Sequence, residues 1–95
     1  MISSDWRSAL LAWLQTHKTY PGEARRRGDE GRAVVRFTVT RDGNVLDVEV
    51  VSSTGSKVLD AAIERLLRGA RLPAFPPSMA EPEVTDSLSI LYKLE

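Results

Sequence analysis

A chain of 95 residues with 13 Lys plus Arg against 13 Asp plus Glu is one domain, large enough to bury roughly 60 to 65% of its unfolded surface and to fold without a metal or disulfide. The balanced charge argues against partners recruited by net charge, such as nucleic acid or an anionic membrane. The absence of cysteine excludes disulfides, thiolate metal sites and thiol catalysis, and 42% hydrophobic with 27% charged residues is the make-up of an ordinary globular protein.

No run approaches the ~20 apolar residues of a membrane span. Met1-Ile2-Ser3-Ser4 holds no signal-peptide core. The expectation is therefore a cytoplasmic chain or a piece of a longer one. Leu94-Glu95 reads equally as a native end or a cloning remnant.

Ser3, Ser4 and Asp5 offer N-cap oxygens ahead of Trp6, Ala9, Leu10, Trp13, Leu14 and His17 at helical spacing. This predicts a helix over residues 5–17 whose tryptophan and leucine stripe packs on the domain's own sheet. His17 falls at its end, where a protonated imidazole interacts favourably with the last carbonyls. Tyr20-Pro21 breaks the chain, and Glu23, Ala24, Arg25-Arg26-Arg27 and Gly28 then read as a short helix with a glycine stop. Three consecutive arginines fan around a helix rather than forming one patch. They are followed at once by Asp29 and Glu30 and carry no interleaved aromatic, so they read as solvated surface and not as a phosphate site.

From Gly31 the period becomes two. Ala33, Val35, Phe37 and Val39 share one face of a first strand, and Arg41-Asp42-Gly43-Asn44 supplies hairpin chemistry. In the second strand Leu46, Val48 and Val50 share a face, with Val45 out of phase. A bulge within residues 45–47 would reconcile the register. Ser56 is the expected N-cap of a helix with Leu59, Ala62, Ile63, Leu66 and Ala70 inward and a Glu64–Arg68 pair outward. Pro73, Pro76, Pro77 and Pro82 forbid regular structure until about Val84. A last strand follows, with Leu88, Ile90, Tyr92 and Leu94 on one side and Ser87, Ser89, Leu91 and Lys93 on the other.

A tight hairpin makes the first two strands antiparallel neighbours, and the helix after them carries the third beside the first. The expected fold is α+β: a three-stranded antiparallel sheet of order 2-1-3 with two main helices on one face. The last strand is then an edge with one open side, guarded only by Lys93 and Asp86. Such an edge suits an extended peptide that docks through its main chain.

Tyr20-Pro21, Ala24, Arg25, Gly28, Gly31, the strand from Val35 to Asp42-Gly43, Val48, Ser52-Ser53 and the final Ser89-Ile90-Leu91-Tyr92-Lys93-Leu94 together resemble the TonB C-terminal domain over about residues 17–94. The resemblance implies a periplasmic domain of a protein anchored in the bacterial inner membrane, tethered through a proline-rich spacer that this single domain lacks. It implies coupling of inner-membrane proton-driven motor proteins to outer-membrane transporters for siderophores, haem or vitamin B12. It also implies that the box peptide of a TonB-dependent transporter adds as a strand along Ser87, Leu88, Ser89, Ile90, Leu91, Tyr92, Lys93 and Leu94, with His17, Tyr20 and Pro21 contributing contacts. A strand-exchanged homodimer is a further association it allows. Asp29 stands where the family usually has an apolar residue between Gly28 and Gly31, and Glu23 where relatives can be basic.

Three other readings stand beside this one. An enzyme would need a tuned base beside its partner, and His17, the only histidine, has no such company in the sequence. No cofactor or metal is expected. A TolA-like adaptor shares the layout and also receives partner strands. A self-associating structural domain would use the same edge between copies.

Overall fold

A computed structural model describes residues 2–94. Its elements run α1 (Ser4–His17), α2 (Gly22–Arg27), β1 (Gly31–Thr40), β2 (Val45–Ser52), α3 (Lys57–Leu67) and β3 (Glu83–Tyr92). Local chemistry sets the boundaries. The Ser3 hydroxyl accepts from the Trp6 N–H at 3.0 Å to cap α1, and the Ser56 hydroxyl does the same for Leu59 at 3.2 Å to cap α3. Gly28 ends α2 in the left-handed region at φ 74°.

The strands form one antiparallel sheet of order β2-β1-β3, as expected. Ala33, Val35, Phe37 and Val39 of β1, Val48 of β2, and Leu88, Ile90 and Tyr92 of β3 are buried. They form one core with Trp6, Leu10 and Leu14 of α1 and Leu59, Ile63 and Leu67 of α3. The other sheet face carries Arg32, Arg36, Glu49, Ser87, Ser89 and Leu91, all exposed. Helices therefore cover one face and leave the other to water.

Two expectations change. In β2, Thr38 pairs with Asp47 but Val39 pairs with Val45, so Leu46 is the extra residue of a bulge. The bulge falls where the phase problem suggested, but it turns Leu46 out to 60% exposure and gives the core side to Val45. In α3, the helix stops at Leu67 and Arg68 is already extended. Leu67 is therefore fully buried while Leu66 and Ala70 are half-buried. The Arg68 guanidinium reaches the Val48 carbonyl at 3.5 Å instead of pairing with Glu64.

The proline-rich connector is held by contacts distant in sequence. The Trp6 indole N–H donates to the Pro73 carbonyl at 2.8 Å, and its ring meets Phe75 edge-on at 5.4 Å. The Arg41 guanidinium donates to the carbonyls of Met79 (2.9 Å) and Ala80, and its backbone N–H to that of Pro82 (3.0 Å). The hairpin turn therefore fixes where β3 begins.

Candidate docking edge

β3 pairs with β1 through ten consecutive partners, Gly31 with Tyr92 to Thr40 with Glu83, without a shift. Its main-chain groups alternate between β1 and the open side. The carbonyls of Ser87 and Leu91 accept from Arg7 Nη2 at 3.4 Å and Lys18 Nζ at 2.8 Å, which marks them as outward. By the same period Thr85 and Ser89 also turn their N–H and C=O outward. Leu88, Ile90 and Tyr92 turn their main chain to β1 and their side chains to the core.

The eight positions expected along this edge thus divide. Ser87, Ser89 and Leu91 offer the open backbone. Leu88, Ile90 and Tyr92 hold the strand in place. Lys93 and Leu94 lie beyond the strand, with the Leu94 N–H donating to the Glu30 carboxylate at 2.5 Å.

The opposite edge is less regular. β2 has a second register shift, where Val34 pairs with Ser52 and Val35 with Val50, which leaves Val51 52% exposed. Two irregularities in eight residues twist that edge away from a straight template. β3 is the edge that can accept a regular ladder.

Tyr20, Pro21 and His17 lie at the Leu91 end. Tyr20 is half-buried, its hydroxyl donates to the Asp29 carbonyl, and its ring meets Tyr92 edge-on. Pro21 is the residue before α2, with φ −60°, and its carbonyl accepts from the Arg25 N–H at 3.0 Å. His17 is exposed and stacks on Trp13 at 4.4 Å, with Nδ1 2.8 Å from the Trp13 carbonyl. Asp29 accepts from the Ser56 hydroxyl at 2.9 Å and lies 3.7 Å from Arg27 Nε. That contact ties the end of α2 to the start of α3.

The sequence reading missed Arg7 and Lys18. Arg7 and Leu11, itself 45% exposed, sit at i and i+4 on α1, and Lys18 is the extended residue that follows its last turn. Their relation to β3 depends on how the helix lies against the sheet. Arg7 also pairs with Asp86 at 2.6 Å, while Lys18 lies 5.4 Å over the Tyr92 ring. Among the described residues no group of three or more His, Asp or Glu is placed to hold a metal.

A two-layer α+β domain with one regular open edge defines a class that can accept an added strand. The model of the Gram-negative bacterial TonB protein C-terminal region matches residues 16–94, and the chain belongs to this family. The chain is 36% identical to Protein TonB of Pseudomonas putida over 75 residues, 78% of this chain and 31% of that protein. With Protein TonB of Helicobacter pylori strain 26695 it shares 34% over 90 residues, 94% of this chain and 30% of that one. It thus spans about three tenths of these relatives' length.

The solution structure of a Helicobacter pylori TonB C-terminal domain superposes with a TM-score of 0.80 at 29% identity, covering 99% of this chain and 85% of that one. The HasB C-terminal domain gives 0.63 at 37% identity, covering 97% and 72%.

Proposed function

We propose that this domain is the transporter-binding end of a TonB-type energy-transducing protein. It works in the periplasm and takes the N-terminal box of a TonB-dependent outer-membrane transporter as a fourth strand on β3. The observation that carries this reading is the unshifted edge of β3, whose outward backbone at Thr85, Ser87, Ser89 and Leu91 is met, among the described residues, by the side chains of Arg7, Lys18 and Asp86 and by no further strand. Family membership supports it. Coupling to inner-membrane proton-driven motor proteins would run through chain outside these residues, and the cargo class would be siderophores, haem or similar. The role is binding and force transmission rather than catalysis.

A strand pulled along its length loads its backbone hydrogen bonds together in shear. Each contributes only about 0.5 to 1.5 kcal/mol net, so docking alone should give micromolar affinity yet still carry force briefly. Ser89→Pro tests the site, because it removes an outward donor that the fold does not use. The variant should keep its circular dichroism and bind a transporter N-terminal peptide at least roughly tenfold more weakly. Unchanged affinity in the folded variant would refute docking at this edge. Ile90→Pro, which removes a donor facing β1, should unfold the domain.

A further inference from the structure

The first turn of α1 is tied to the start of β3 by two separate routes. The direct one is the Arg7 guanidinium, 2.6 Å from the Asp86 carboxylate and 3.4 Å from the Ser87 carbonyl. The other runs through the connector. The Trp6 indole donates to the Pro73 carbonyl at 2.8 Å and meets Phe75 edge-on. The Phe75 N–H donates to the Arg41 carbonyl at 2.9 Å, and the Arg41 N–H to the carbonyl of Pro82, just ahead of β3, at 3.0 Å.

Both anchors stand where the helix begins. Ser3 accepts from the Trp6 N–H through its hydroxyl and from the Arg7 N–H through its carbonyl, each at 3.0 Å, so the residues that close the first turn also fasten it to the rest of the domain. Their position matters under load. A helix pulled at one end opens from that end a few hydrogen bonds at a time, and one of 14 residues is marginal by itself. Contacts farther along, such as those of Leu10 and Leu14, come too late to protect the first turn.

The matching region of the relatives is C-terminal, so the remaining chain of those proteins precedes it, and most of α1 lies ahead of the family match at residues 16–94. We infer that α1 is the load-bearing entry of this domain, with tension from the chain ahead of Ser3 leaving the helix at Trp6 and Arg7 and reaching β3 near Asp86. This rests on the force-transmitting reading and assigns its input to two positioning residues. The load then bypasses the rest of α1 and α2.

The chain has no cysteine, so introduced thiols define where force is applied. Optical-tweezer handles are attached at Ser89→Cys on the docking edge and either at a cysteine fused ahead of the chain or at Gln15→Cys farther along α1. Lifetimes are read at constant force. From the N-terminal attachment the wild-type domain should yield in one step. Arg7→Gln should shorten that lifetime about two- to fivefold. It should also bring in an early lengthening of roughly 25 to 30 Å, the difference between α1 coiled and drawn out. From Gln15→Cys, where load enters past the first turn, the same substitution should change the lifetime by less than about twofold. Trp6→Phe, which breaks the other route, should repeat the pattern. An early lengthening of that size in wild type, or equal shortening from both attachments, would overturn the inference. Both handles are covalent, so the outcome stands apart from strand addition, which Ser89→Pro tests by affinity.

Discussion

The ring of Tyr20 stands edge-on to that of Tyr92, with centroids 5.3 Å apart and planes at 89°. Tyr20 belongs to the break between α1 and α2, and Tyr92 is the last residue of β3, buried to 2% exposure. The contact fastens the end of the open edge to the segment ahead of α2. Lys18, two residues before Tyr20, reaches the same ring. Anything that loosens this corner should change both stability and the shape of the edge.

Alkaline pH is one such agent. Burial raises the Tyr92 phenol above its ordinary 10.0, with Tyr20 adding to the shift, and burial followed by the Glu30 carboxylate raises Tyr20. The fold therefore favours the neutral phenols. Stability should be intact below the ordinary phenol value and fall as the pH rises through the raised one. Urea midpoints measured against pH should decline on that limb alongside the tyrosinate absorbance, and Tyr92→Phe should flatten the decline.

Acid acts through Asp60. Burial pushes Asp60 up, but the Ser53 hydroxyl at 2.5 Å, the Thr54 N–H at 3.0 Å and the Thr54 hydroxyl at 2.7 Å outweigh it and hold the carboxyl below its ordinary 3.8. This contribution is present above the unfolded value and is lost as the pH falls through the lowered one. Asp60→Asn should remove that part of the acid dependence. At neutral pH it should cost less than about 1 kcal/mol, because the site is largely solvated.

Trp6 of α1 holds the connector through its indole N–H on the Pro73 carbonyl and its ring against Phe75. Trp6→Ala should cost about 3 to 5 kcal/mol by equilibrium denaturation. Trp6→Phe, which keeps an aromatic ring but loses the bond to the Pro73 carbonyl, should cost about 1 to 2 kcal/mol.

Gly43 has a stricter requirement. It sits at φ 94° in the hairpin turn, and a Cβ there would lie 2.0 Å from the Leu72 carbonyl oxygen, while its own carbonyl accepts from the Leu72 N–H at 2.8 Å. Gly43→Ala should therefore destabilise by at least about 2 kcal/mol, from positive φ and the clash together. A thermal melt compared with that of Gly55→Ala, which meets nothing within 4 Å, separates the two causes.

Local pattern carried much of this fold. The alternation of Ala33, Val35, Phe37 and Val39, the caps at Ser3 and Ser56, and the hairpin chemistry at Asp42-Gly43 are short-range signals, and the sheet order followed from connection rules. Phase across an irregularity was harder. The bulge was legible from Val45 and Val48 together, but which residue it would expel was not, and Leu46 was assigned inward. Leu67 was missed because the inward stripe was carried through Leu66 to Ala70, past the point where the helix ends. At the edge, the strand and its open side could be read from alternation. Arg7 and Lys18 could not, because they act across 80 and 73 residues and depend on the placement of a helix that periodicity does not give.

The most direct measurement is an amide-shift and hydrogen-exchange titration of the domain with peptides from the N-termini of TonB-dependent transporters. Strand addition on β3 predicts that the outward amides of Thr85, Ser87, Ser89 and Leu91 shift first and gain protection, while those of Leu88 and Ile90, already bonded to β1, keep the protection they have. Perturbation centred on β2 or on the bare sheet face, with the outward amides of β3 unprotected at saturation, would contradict it.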